Sequence, residues 1–154
     1  MARRSRASGS PFADDERSDA RERALLLFYE ADTKRVPVAQ IADAQVLPID
    51  DLTRLLVDGT ASHRDELDEV IAANARGWTL QRMPKIDLTV LRIAAFELFH
   101  RPDVPVAVVL DEAVELAKRF STDNSGRFVN GVLAALAGDL RNGGAPSAGD
   151  AAGG

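Results

Sequence analysis

Few residues in this 154-residue chain have the type and spacing to do chemistry. His63-Arg64-Asp65 spells the triplet of a kinase catalytic loop. That triplet works only with a glycine-rich loop, a lysine strand and an Asp-Phe-Gly sequence, none of which accompanies it here. Asp111-Glu112 has the look of a hydrolase's acidic pair. Without a phosphate loop it is more simply the acidic first half of a helix. The two histidines, His63 and His100, lack a companion at metal-ligand spacing such as i, i+4, so no metal site is expected. No serine sits in a nucleophile elbow and no glycine cluster could cradle a phosphate. The expectation is a protein with no catalytic residue and no cofactor.

Binding chemistry is better represented. Lys118-Arg119-Phe120 and Arg127-Phe128 flank the polar stretch from Ser121 to Gly126, STDNSG. Cations beside aromatic rings can supply phosphate contacts and stacking platforms for single-stranded RNA. The plainer reading is a basic helix end beside a helix start, with both phenylalanines in the core. Arg92 and Glu97 are charges inside an otherwise apolar segment, and charged side chains are rarely buried unless paired. They either pair locally or, with His100 and Arg101, mark a strip presented to another protein.

The elements that must position these groups are helices. Between Ile86 and Leu136 almost every apolar residue falls at helical spacing, which predicts three consecutive amphipathic helices. The first, about 85–100 after Pro84, is apolar nearly all round and so predicts a central, buried helix. The second runs from Pro105 to Phe120, with Val106, Val109, Leu110, Ala113, Leu116, Ala117 and Phe120 inward. After an STDNSG loop, Phe128, Val129, Val132, Leu133 and Leu136 line the last. Asn130-Gly131 in its middle is a poor helix-forming pair and predicts tight packing there.

Upstream, Ser18 is the expected N-cap of a first helix buried through Ala24, Leu27, Phe28 and Ala31 and widened by Leu25 and Tyr29. Pro37 opens a short second helix. A long helix of about 50–75 follows, with Leu52, Leu56, Gly59, His63, Leu67, Val70 and Ile71 as its inner stripe. Gly59 costs about 1 kcal/mol of helix propensity, so a close helix crossing is the expected compensation. Gly77 should end that helix, and Trp78-Thr79-Leu80 should form a turn. Strand signals are absent, and the class is all-α. Residues 1–17 and 142–154 lack apolar periodicity and are expected to be disordered tails.

Composition narrows the classes further. A net charge of −5 and a pI near 5.0 argue against binding nucleic acid by bulk charge, so any RNA contact must be local. Cysteine is absent, which removes disulfides and thiolate sites and suits a cytoplasmic protein. No run of about 18 apolar residues occurs, so no membrane span is expected.

Three strings in series carry a family resemblance: DLTVLRIAAFEL from Asp87, DEAVELAK from Asp111 and FVNGVL from Phe128. With Ala20-Arg-Glu-Arg-Ala24 and Phe28-Tyr29, they resemble the NusB family of transcription antitermination factors over about residues 18–140. The resemblance implies a bundle of about seven helices in two three-helix subdomains sharing a core, about 18–77 and 78–141. It implies a non-enzymatic partner of NusE, the small-subunit ribosomal protein, that binds boxA RNA of ribosomal RNA leaders within an RNA polymerase antitermination complex. Carried over position by position, the RNA surface would combine Arg17, Arg21, Arg23, Lys118, Arg119, Phe120, Asn124, Arg127 and Phe128. The strip of Arg92, Glu97, His100 and Arg101 would face NusE. In place of the family's arginine run before the first helix stand Asp14, Asp15, Glu16, Arg17 and Asp19. A protein-only adaptor without RNA contact and a homodimer joined through an exposed apolar strip are the alternatives. NusB-like domains also precede RNA cytosine methyltransferase domains, a reading that would need a domain this sequence lacks.

Overall fold

The computed structural model describes residues 14–141, with side chains described for residues 16–140. The expectations for residues 1–13 and 142–154 lie outside those described. Seven helices follow one another: α1 (Asp14–Lys34), α2 (Val38–Asp43), α3 (Asp51–Ser62), α4 (Arg64–Asn74), α5 (Lys85–His100), α6 (Val106–Phe120) and α7 (Asp123–Arg141). A single 3-10 turn, Leu80–Arg82, leads into α5. Among the described residues there is no strand, and the fold is all-α.

Proline and aspartate set the helix starts. Pro37, Pro84 and Pro105 each stand just before α2, α5 and α6 with extended ψ near 140°. Proline's fixed φ suits entry to a helix, and its missing N–H costs nothing there. Asp50 caps α3 by accepting the Thr53 amide at 3.0 Å and the Thr53 hydroxyl at 2.6 Å, the usual way an acidic N-cap satisfies an orphan donor. Partial burial pulls the Asp50 carboxyl upward, but the Thr53 bonds and the Arg23 charge outweigh it and hold its pKa below the ordinary value. At the other end of α1, Arg35 adopts a left-handed φ of 58°. Val36 then donates back to the Ala31 carbonyl at 3.1 Å and closes the helix, a role glycine usually fills.

Three boundaries differ from the sequence reading. First, α1 begins at Asp14, so Ser18 is not its cap; the Ser18 hydroxyl instead bonds the Glu112 carboxylate on α6. Second, the expected long helix is two helices that break at His63. There the His63 amide, the His63 ring Nδ1 and the Ser62 hydroxyl converge on the Gly59 carbonyl at 3.2, 2.8 and 3.2 Å. Side chains that compete for a backbone acceptor in this way bend or end helices. Third, α7 starts at Asp123, so only Ser121 and Thr122 join it to α6.

The core is aliphatic. Leu25 and Leu27 of α1, Leu56 and Val57 of α3, Leu67 and Ile71 of α4, Val109 and Ala117 of α6, and Val129, Leu133 and Leu136 of α7 all surround α5. The α5 helix packs against α1, α3, α4, α6 and α7, and only Arg92, Phe99, His100 and its first-turn residues Lys85, Ile86 and Leu88 are more than slightly exposed. This is the central helix its near-continuous apolar sequence demands. The crossing expected at Gly59 is present: a Cβ there would lie 2.1 Å from Cζ of Phe96 on α5. Gly131 is different, because a Cβ there meets nothing within 4 Å. The tight packing expected at Asn130-Gly131 is therefore absent, and both residues face outward. Tyr29 is likewise half exposed, with Leu26 one turn before it.

Candidate nucleic-acid and partner surfaces

The charges singled out in the sequence divide into an interior set and an outer set. In the interior, Arg21 of α1 forms a bidentate pair with Glu97 of α5, Nε to Oε1 at 2.7 Å and Nη2 to Oε2 at 2.8 Å. Its Nη1 reaches Glu112 of α6 at 3.2 Å. Arg21 and Glu97 are each only 3% exposed. Burial works against the Arg21 charge, but Glu97 and Glu112 outweigh it and push the guanidinium pKa above its already high ordinary value. Planar fork-to-fork geometry of this kind fixes direction as well as distance, so the cluster clamps α1 across α5 and α6. Arg21, expected on an RNA surface, and Glu97, expected on a partner strip, are thus each other's partner inside the molecule. Arg17, a turn earlier, is also buried.

The rest of the core-helix strip is paired too, Arg92 and His100 across helices and Arg101 within the α5–α6 connection. Arg92 holds Asp68 of α4 through Nε at 2.7 Å and Nη2 at 3.0 Å. His100 Nε2 lies 2.7 Å from Glu66 of α4, and Arg101 faces Asp103 at 3.4 Å. Arg92 and Glu97 are both paired, each with a residue distant in sequence. His100 and Arg101 retain partial access to solvent.

The outer set lies where α6 meets α7. Lys118 and Arg119 end α6 and are exposed, favourably placed against the helix dipole. The Arg119 guanidinium sits 4.9 Å above the Phe120 ring and reaches Glu22 of α1 at 2.8 Å. Arg23, the exposed arginine of α1, pairs with Asp50 at 2.6 Å. Thr122 and Ser125 cap α7 reciprocally: the Ser125 amide donates to the Thr122 hydroxyl at 3.2 Å, and the Thr122 amide to the Ser125 hydroxyl at 3.3 Å. This is the logic of a capping box with a second serine-type group in place of glutamate. The cap sets Asn124 and Arg127 outward and leaves Phe128 half-buried.

Sequence reasoning missed two residues here. Trp78, half exposed, stands edge-on to Phe128 with ring centroids 5.8 Å apart. Asp87, in the first turn of α5, accepts the Ser125 hydroxyl at 2.9 Å through Oδ2, while its buried Oδ1 has no protein partner. Trp78, Pro84, Asp87, Asn124 and Phe128, with Thr122 and Ser125, line a cleft of about 170 Å³. An exposed tryptophan just after Gly77 was the one available signal. Nothing in the sequence marked Asp87, which looks like any acid in a first helical turn.

The kinase-like triplet lies at the α3–α4 joint with Arg64 and Asp65 in solvent. No described helix is long and apolar enough to cross a membrane. The histidines, far apart in sequence, are brought ring to ring at 4.0 Å beside Glu66. The spacing argument against a companion ligand therefore fails in three dimensions.

Comparison with known proteins decides the family. The NusB family pattern matches residues 18–138. This chain belongs to the NusB family. It is 45% identical over 128 residues to the transcription antitermination protein NusB of Saccharopolyspora erythraea, covering 79% of this chain and 86% of that one. Among solved structures, it is similar to T. maritima NusB at 30% identity with a TM-score of 0.70, covering 84% and 94% of the two chains. It is also similar, at 25% identity and TM-score 0.68, to the structure of antitermination factors NusB and NusE in complex with dsRNA, covering 79% and 96%. NusB proteins are transcription antitermination factors and not enzymes, and so is this chain.

Proposed function

We propose that this NusB protein binds boxA RNA of ribosomal RNA leaders together with NusE, in the cytoplasm, and so supports processive transcription of those RNAs by the polymerase antitermination complex. The observation that carries the reading is the α6–α7 edge. There, Asn124 lines a cleft walled by Trp78 and Phe128, and exposed Lys118, Arg119 and Arg127 stand on the two helix ends that form the edge. Cations on such an edge neutralise phosphates, and rings stack single-stranded bases. The relative solved with NusE and dsRNA supports the same reading.

Of the α1 arginines, only Arg23 fits this surface, since Arg17 and Arg21 are buried. On the NusE side, the reading keeps Arg92, His100 and Arg101, the strip members with partial access to solvent. Leu26 and Tyr29, exposed and three residues apart on α1, supply an apolar face for a protein partner or for a second copy.

The test is filter retention of boxA RNA, with and without NusE. The expected result is an affinity that NusE raises and that Arg119→Ala with Arg127→Ala lowers about tenfold or more, with a scrambled RNA bound weakly throughout. If NusE forms a complex but never raises RNA affinity, and the double variant changes nothing, the protein is a protein-only adaptor.

A further inference from the structure

We infer that His63, Glu66 and His100 form a binding site for a divalent transition-metal ion of the zinc class. His63 comes from the joint between α3 and α4, Glu66 from the first turn of α4, and His100 from the last turn of α5. Each offers one ligand atom, and the three atoms lie within 4.8 Å of one another. Tetrahedral zinc with bonds near 2.0–2.2 Å needs ligand atoms about 3.3 Å apart, so His100 Nε2 and Glu66 Oε1, 2.7 Å apart, would part slightly and the wider separations would close, movements of about an ångström. Two imidazoles and one carboxylate are the donors of many zinc sites that keep a fourth position for water.

Two further features favour an ion over a simple hydrogen-bonded pair. The His63 Nδ1 lies 2.8 Å from the Gly59 carbonyl. A carbonyl only accepts, so Nδ1 carries a proton, and in the neutral ring that leaves Nε2 as the ligand atom. This is the arrangement that ligating histidines use, with the other ring nitrogen donating to a backbone carbonyl or carboxylate. Phe96 then holds both imidazoles, its ring 5.8 Å from His63 and 5.4 Å from His100. The same phenylalanine is locked against Gly59, so the two rings share one rigid support. The histidines also face each other at 4.0 Å, an arrangement in which two protonated rings would repel and a shared cation attracts both.

A metal here would tie the α3–α4 joint to the end of the central helix. The site is separate from the RNA cleft, because Asp87 and His100 stand near opposite ends of α5, about 20 Å apart at 1.5 Å of rise per residue. Loss of the metal therefore leaves RNA binding by the chain alone in place, and loss of RNA binding leaves the metal; His100 also lies on the proposed NusE side, so the two are compared without NusE.

The experiment is calorimetric titration of the full chain, free of any histidine tag, with zinc chloride and in parallel with magnesium chloride. One zinc per chain at micromolar affinity or tighter is expected, with no magnesium binding. His63→Ala and His100→Ala should each weaken zinc binding at least tenfold. Glu66→Gln, which preserves shape, should do the same while circular dichroism stays unchanged. Cobalt(II) should give a visible absorption band that these variants lose. Zinc binding weaker than about 100 μM, or binding that survives all three substitutions, overturns the assignment.

Discussion

The seam around α5 and the rim where α6 meets α7 use the same residue types to opposite ends. Arg21 and Arg119 are both helical arginines beside a glutamate. Arg21 is closed in with Glu97 and Glu112, whereas Arg119 lies half exposed with Glu22. Gly59 and Gly131 are both helical glycines. One takes the edge of a phenylalanine ring and the other faces solvent. Residue type sets what a group can do, and what it does is set by what the fold brings opposite it.

The difference is testable first where it is largest. Glu97→Ala leaves a buried guanidinium with only Glu112 for a partner. Removing one member of a buried pair costs about 3–5 kcal/mol, because the remaining charge stays out of water. Urea unfolding should show that loss in the midpoint. Replacing both partners, Arg21→Met with Glu97→Leu, should recover most of it. Recovery with RNA affinity intact would establish that the pair is structural. A double variant that folds but loses RNA would return Arg21 to the RNA surface.

Gly59→Ala comes next. Helix propensity alone favours alanine by about 1 kcal/mol, but the new methyl must displace the Phe96 ring. Overpacking of this kind costs about 1–3 kcal/mol, so thermal unfolding should show a net loss. Adding Phe96→Leu to Gly59→Ala should reduce the penalty if the ring is its cause.

On the rim, Arg119→Ala with Arg127→Ala should cost about 1 kcal/mol or less of stability, the scale of an exposed ion pair such as Arg119 with Glu22. The effect should appear in the salt dependence of RNA binding, where two lost phosphate contacts reduce the slope of log K against log salt by about 1.4 for a single strand. An unchanged slope would move the RNA surface elsewhere on the molecule.

How much of this was legible in the sequence follows from the range of the forces involved. The central helix, the entries at Pro84 and Pro105 and the need for a close approach at Gly59 are local matters of periodicity and propensity, and they could be read directly. The break at His63 could not. There the His63 ring and the Ser62 hydroxyl crowd onto a carbonyl that also accepts the His63 backbone amide. The pairing of Arg21 with Glu97, the Trp78–Phe128 cleft and the meeting of His63 with His100 join residues from different helices. Only the tertiary fold makes them neighbours. The RNA-contact role expected of Arg21 came from family likeness and the partner strip around Glu97 from the charge pattern, and neither carries the information that the two side chains meet in the interior.

The smallest prediction tests the rim through its backbone. Gly131 lies in the middle of α7, exposed, in a helical conformation that any residue can adopt, and open space surrounds the position of its absent Cβ. Gly131→Ala therefore adds no clash and removes unfolded-chain entropy, which should stabilise the protein by about 0.8–1 kcal/mol. The sign is opposite to that expected at Gly59, and one thermal-unfolding series can measure both. If alanine at Gly131 instead weakens NusE or RNA binding while raising stability, the open space at that position is an approach surface for a partner. The glycine would then be there for a close contact that the chain alone does not contain.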